Sequence, residues 1–296
     1  MIGLTIDDRI FTAAILADGG DFVSRAECPA PAGDYRDWLV AIRDLVAGLD
    51  GASPHMGVAV VVPAIILADS IDITPLTPLA GSDLRRDLQS ALSREVSLTG
   101  FGDALAAFHA SNNGAADPLV ALWMGSSCHG GLVANGGLVT GAHGAAANWA
   151  HLQLPAPVPH ELDGRPCWCG RNGCLETFLS VSGLEEDYER VTGVKRTAAE
   201  IADAANASDI VAESVVQVFE DRLGRAMAAI INLIDPGTII LGGETPLPTR
   251  LCESVPRKWP GYVQIDRSNT ALTWCSAGYG ALIGGAVKLA SDRGQI

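Results

Sequence analysis

The chain has 296 residues, long for one hydrophobic core and comfortable for two domains of ordinary size. Apolar residues make up 48% and charged residues 18%, which is ample material for a buried core. A net charge of −14 with no basic stripe excludes a protein that grips nucleic acid through clustered Lys and Arg.

The opening "MIGLTIDDRIFTAAILADGG" has no basic segment followed by an apolar core and a cleavage site. The apolar run "MAAIINLI" (227–234) is too short to span a bilayer, so the expectation is a cytoplasmic protein without a membrane partner. Ile2, Leu4, Ile6, Ile10, Ala13 and Ile15 alternate as in a hairpin, with Asp7-Asp8 at its turn. Helical spacing over 34–49 is followed by a buried strand over 56–67 and a proline-punctuated loop over 74–80. Ser82 reads as the cap of a helix over 82–95. A short strand (96–98) and a helix (102–111) complete this block.

A second block opens with a strand over 117–125 and a hairpin over 130–141 that turns at Asn135-Gly136-Gly137. Helices at about 197–206 and 209–233 precede a buried strand over 236–244 and a glycine-rich turn and helix over 278–291. The echo between the blocks predicts two similar α/β lobes, 1–116 and 117–280, with a cleft between them. The last helix, 281–296, is expected to pack back on the first lobe.

The most specific motif is "CWCGRNGCLE" (167–176), with three cysteines in eight residues. In a reducing compartment such spacing suits thiolate ligation of zinc, and glycines let the backbone fold around the ion. Cys167, Cys169 and Cys174 supply three ligands, and His151 or His160 lies within loop reach for a fourth. The competing reading is three buried cysteines or a redox pair, but an ordinary core has no use for this pattern. A closed four-ligand site is structural, leaving no position for water.

"CWCGRNGCLETFLS" resembles the zinc signature of the ROK family of sugar kinases and related proteins. "GAHGAAANWAHLQLP" (141–155) has the frame of that family's G-x-x-G-E-x-G-H stretch, and the resemblance places His151 on the metal. "IINLIDPGTIILGGE" (230–244) and "GALIGGAVKL" (280–289) are similar to the family's nucleotide-side strand and final helix, so the likeness spans the chain. It implies the two-lobed sugar kinase and actin-like ATPase fold, related to ribonuclease H. A sugar and Mg-ATP would meet in the interdomain cleft, structural Zn²⁺ would hold the 151–176 loop, and the chain would form a homodimer.

The implied sugar ligands are Glu176, His151 and Asn148, with Asn148 standing where the family has a glutamate. A plainer role for Glu176 is a helix N-terminal carboxylate. The implied catalytic base is Asp103, if two extra residues are allowed in the family's N-D-A-N frame. Without them Phe101 takes that place, and Asp103 is only a helix cap. Gly125, Ser126, Gly242 and Gly243 would lie near the nucleotide.

The family's D-x-G-G-T phosphate turn is here "TIDDR", with Asp7 and Asp8 in place of two glycines. One like-charge pair at about 5 Å costs roughly 3 kcal/mol at an effective dielectric near 20, on the order of a hundredfold in affinity. The reading favoured is therefore a sugar-binding or regulatory relative impaired in phosphoryl transfer. An active sugar kinase is the alternative. The family's repressor branch, with an added helix-turn-helix, fits less well.

Overall fold

The computed structural model describes residues 1–17, 22–49, 56–67, 70–110, 116–162, 164–264 and 269–294. The first block is β1 (Ile2–Ile6), β2 (Ile10–Leu16), β3 (Phe22–Pro29), α1 (Tyr35–Ala47), β4 (Val58–Val62), β5 (Ile65–Leu67), β6 (Ser70–Ile73), α2 (Leu84–Leu92), β7 (Val96–Gly100) and α3 (Phe101–Ala110). Five of its strands form a sheet in the order β3-β2-β1-β4-β7. The β1–β2 and β2–β3 pairs are antiparallel, and β1–β4 and β4–β7 are parallel.

The second block is β8 (Leu119–Met124), β9 (Cys128–Ala134), β10 (Gly137–Leu138), α4 (Glu176–Leu179), α5 (Val181–Thr192), α6 (Ala198–Asn206), α7 (Ile210–Ile234), β11 (Thr238–Gly243), α8 (Pro248–Ser254), β12 (Ala271–Trp274) and α9 (Tyr279–Asp292). Its sheet runs β10-β9-β8-β11-β12, with two antiparallel pairs followed by two parallel ones. The two sheets therefore share one topology. The weak sequence echo reflects a repeated supersecondary unit.

Local chemistry explains most element boundaries. Asp34 and Asp37 form a capping box on α1, and Trp38, Ile42, Leu45 and Val46 bury one helical stripe. Helix α2 is capped by Asp83, which accepts from Arg86 N, rather than by Ser82 as expected. The Ser82 hydroxyl instead donates to the Leu79 carbonyl at 2.7 Å and is spent on the preceding turn. The strand expected over 56–67 is broken after Val62, because Pro63 has no N–H with which to extend a central ladder. Asn135 and Gly136 both take positive φ (53° and 71°), which suits a two-residue hairpin turn. The Asp117 carboxylate accepts from both turn amides at 2.9 and 2.6 Å.

Helix α3 occupies the middle of the molecule, packed against β8, β9 and α9. Its approach to β9 is backbone on backbone. A Cβ at Gly102 would lie 2.0 Å from the Gly130 carbonyl oxygen, and one at Gly131 would lie 2.1 Å from that of Gly102. Any side chain there would force α3 off the sheet. Helix α9 returns from the second block to pack on β1 and β4 as well as α3. Ser111 and residues 295–296, which the expected helices included, lie outside the described residues.

Candidate functional site

The loop between β10 and α4 brings His151, Cys167, Cys169 and Cys174 together, with their ligand atoms all within 4.8 Å of one another. Cys167 Sγ lies 3.6 Å from His151 Nδ1, and Cys169 Sγ lies 3.6 Å from Cys174 Sγ. Zn–S bonds of about 2.3 Å in a tetrahedron put sulfurs roughly 3.8 Å apart, so these donors fit zinc in type and spacing. His151 rather than His160 completes the set. With four protein donors, such an ion would order the loop and leave no place for a reacting water.

A second device secures the same loop. Glu161 accepts from Arg222 Nε at 2.7 Å and from both terminal nitrogens of Arg225 at 3.0 Å. Arg165 and Arg222 both pair with Asp187, and their guanidiniums lie 4.5 and 4.9 Å from the Phe178 ring centroid. Burial alone would raise the Glu161 pKa, yet the two arginines bring it to about 2. These five charges tie the loop to α5 and α7. Arg222 and Arg225 stand three residues apart on a buried face of α7, a pattern visible in the sequence whose partners are not.

Two cavities flank Phe101. The larger, of about 260 Å³, has Ile65, Ile66, Asp103, His129, Asn148 and Arg293 among its lining residues. The smaller, of about 80 Å³, has Asp7, Asp8, Ser126, Ser127, Glu244 and Tyr279 in its lining. Helix α3 starts at Phe101 directly after β7 ends at Gly100. There is no added loop, and Phe101 rather than Asp103 is the first residue of the helix. Phe101 stands where the cavities meet, its ring 5.4 Å from Trp123, 5.5 Å from His129 and 6.3 Å from Tyr279. Asp103 sits two residues into the helix and lines the larger cavity alone. Burial pushes its carboxyl up to about 6, opposed by the positive charge of Arg293.

The three expected sugar ligands are held in different ways. Asn148 lines the larger cavity, whereas His151 belongs to the cysteine cluster. Glu176 is buried and both its oxygens are engaged by the protein. Oε2 accepts from Cys128 N at 2.8 Å, and Oε1 accepts from the Trp168 indole. The Trp168 ring meets His151 edge-on at 4.9 Å, so Glu176 is held by the cysteine loop itself. His129, which sequence reasoning passed over, bonds Ser127 Oγ through Nε2 at 2.7 Å. Burial and the facing His151 lower its pKa to about 3, keeping the ring neutral.

At the smaller cavity the β1–β2 turn is folded around Asp7, whose Oδ1 accepts from Arg9 N at 2.8 Å and Ile10 N at 2.7 Å. Its other oxygen accepts from the Tyr279 hydroxyl, which also lies 3.0 Å from Glu244 Oε1. Arg9 pairs with Glu244, and Ser126 Oγ donates to Asp8 at 3.2 Å. These contacts join the first block to the second. Thr5 is buried within β1, its hydroxyl 3.5 Å from the Thr12 carbonyl oxygen. Of the expected nucleotide glycines, Gly125, Gly242 and Gly243 line neither cavity. Gly243 (φ 126°) is a packing requirement, since a Cβ there would lie 2.0 Å from the Met124 carbonyl oxygen.

The profile of the ROK family matches residues 1–293. The chain belongs to the ROK family. It is 30% identical over 250 residues to the N-acetyl-D-glucosamine kinase of Vibrio atlanticus (strain LGP32), covering 81% of this chain and 83% of that one. The N-acetyl-D-glucosamine kinase of Haemophilus influenzae (strain 86-028NP) is 29% identical over 271 residues, covering 88% and 89%. Among solved structures, a ROK glucokinase from Streptomyces griseus in complex with glucose and AMPPNP aligns with TM-score 0.85 at 19% identity, over 99% of both chains. This ROK protein therefore has the sugar kinase fold that the cysteine motif implied. No helix among its described residues is long and apolar enough to cross a membrane.

Proposed function

We propose that this ROK protein binds a hexose or N-acetylhexosamine in the larger cavity and is impaired in phosphoryl transfer to it. The observation that carries the reading is Phe101 at the junction of the cavities. An acceptor hydroxyl there would need a group to take its proton, and an aromatic ring packed against Trp123 and Tyr279 offers none. Asp7, Asp8 and Glu244 then line the side from which an anionic phosphate would approach, and Tyr279 and Arg9 already occupy them. Mg-ATP, if it binds, meets carboxylates rather than a backbone cradle. Zinc, where bound, supplies loop order through His151, Cys167, Cys169 and Cys174.

The relatives favour the second reading, an ATP-dependent sugar kinase, since those named above are N-acetyl-D-glucosamine kinases and a glucokinase. One experiment separates the two. Mg-ATP binding and ADP release are measured against a panel of hexoses and N-acetylhexosamines. Weak nucleotide binding without sugar-dependent turnover supports the first reading. Micromolar Mg-ATP affinity with ordinary turnover supports the second.

A further inference from the structure

Helices α3 and α9 form the seam between the two blocks. Helix α9 packs on β1 and β4 of the first sheet, and α3 packs on β8 and β9 of the second. The two helices meet almost backbone to backbone, since a Cβ at Gly285 would lie 1.8 Å from the Ala104 carbonyl oxygen. Their first residues, Phe101 and Tyr279, have rings 6.3 Å apart, and both line the smaller cavity. One helix pair thus joins the blocks, with the cavities at its N-terminal end, an arrangement in which small sliding of packed helices opens a cleft.

At the mouth of that cleft the blocks are tied by side chains of the β1–β2 turn. Arg9 pairs with Glu244, which follows β11, and Ser126 Oγ donates to Asp8 at 3.2 Å. The Tyr279 hydroxyl donates to Asp7 and lies 3.0 Å from Glu244, so it meets a carboxylate from each block. Arg9 Nε also lies 4.0 Å from Asp8, which sets its charge between carboxylates of both blocks. A single exposed ion pair holds weakly, but here three contacts act across one turn. The larger cavity is closed as well. Gly144 of the second block takes a positive φ (66°), and a Cβ there would lie 2.6 Å from the Ile66 carbonyl oxygen of the first.

We propose that Asp7, Asp8 and Arg9, with Ser126, Glu244 and Tyr279, form a latch that holds the two blocks closed over both cavities without help from a nucleotide. A turn made of glycines would leave such a bridge to the ligand, whereas these side chains build it from protein alone. Access to the larger cavity then waits on release of the latch. Its most accessible part is Arg9, whose side chain is 58% exposed and lines neither cavity. The latch needs no assumption about which ligand the larger cavity takes.

The test is charge exchange in the full chain. Arg9→Glu sets a carboxylate against Glu244, Glu244→Arg sets a guanidinium against Arg9, and the double variant restores the pair in reverse. Two measurements report closure. One is the radius of gyration from small-angle X-ray scattering. The other is the rate of diethyl pyrocarbonate modification of His129, mapped by mass spectrometry with exposed His160 as reference. His129 suits this because it lines the larger cavity and is bonded to Ser127. Each single variant should enlarge the radius and speed His129 modification on the order of tenfold, because like charges replace an ion pair across the cleft. The double variant should return both measurements to those of the unaltered protein. A folded single variant in which either measurement stays unchanged would overturn the proposal. Opening that the double variant does not reverse would overturn it too, since the Arg9–Glu244 pair would then not be what holds the blocks. If a charge reversal fails to fold, Arg9→Ala carries the test, with the same shifts expected in smaller size and their absence sinking the latch.

Discussion

In the 151–176 loop four donors converge within 4.8 Å, and a five-charge cluster braces the same segment. At the β1–β2 turn, Asp7, Asp8 and Arg9 stand where the family motif has glycines and a threonine, and their side chains bond to Tyr279, Ser126 and Glu244. The two regions belong to one fold but answer to different demands. A closed metal site contributes to folding whether or not any reaction follows, so its residues are constrained by stability. A phosphate turn is constrained only by ligand, and once the ligand is not bound its glycines are free to become side chains that bond each other. The cysteine motif therefore reports the fold, and the turn is where the proposed impairment would lie.

The sharpest way to break this contrast is to remove the metal. Elemental analysis should find about one zinc per chain, and Cys169→Ser should lose it together with on the order of 10 °C in Tm. Unchanged thermal stability in a metal-free protein would reduce the loop to a set of packed cysteines. Somewhat smaller is the effect of Glu161→Gln, which leaves Arg222 and Arg225 buried with one carboxylate fewer. Denaturant unfolding should show a loss of about 3–5 kcal/mol, with the zinc content retained. A loss below about 1 kcal/mol would mean that zinc alone secures the loop.

The turn should respond in ligand binding instead of stability. Thr5→Asp, Asp7→Gly, Asp8→Gly and Arg9→Thr together should tighten Mg-ATP binding by about tenfold or more, because repulsion is removed and the backbone becomes accessible. Unaltered affinity in that variant would place the barrier elsewhere, with Phe101 the next residue to change.

The smallest effect concerns Asp103 and pH. Its folded pKa of about 6 lies above the ordinary aspartate value of 3.8, so the folded state holds this proton more tightly than the unfolded chain. The resulting stability is fully present below about 3.8 and is lost as pH rises through about 6. Asp103→Asn should therefore raise Tm above pH 7, and the difference should shrink to nothing toward pH 4. A difference independent of pH would show that the variant acts through packing.

Much of the architecture was legible from pattern. The alternation in β1–β2, the stripe on α1, the Asn135-Gly136 turn and the long α7 all sit close to where periodicity puts them. The exposed edge strand β3 and helix α5 escaped the reading, having weak apolar patterns of their own. At the site, the cysteine cluster was legible because its three cysteines lie within eight residues and one loop carries them together with His151. Motif position did not show that the Glu176 oxygens accept from Cys128 N and Trp168. The Ser127–His129 bond was missed because neither residue stands out beside a glycine-rich turn.

The sequence by itself determined the family, the repeated α/β lobes and the cysteine cluster, since each rests on short-range spacing or on an apolar period. Only the tertiary structure decided the character of the cleft. Phe101 between two cavities, Arg9 on Glu244 and Tyr279 on Asp7 rest on contacts between residues up to 272 positions apart. Their meaning depends on which side chains the folded backbone brings within hydrogen-bonding range, and no local pattern encodes that.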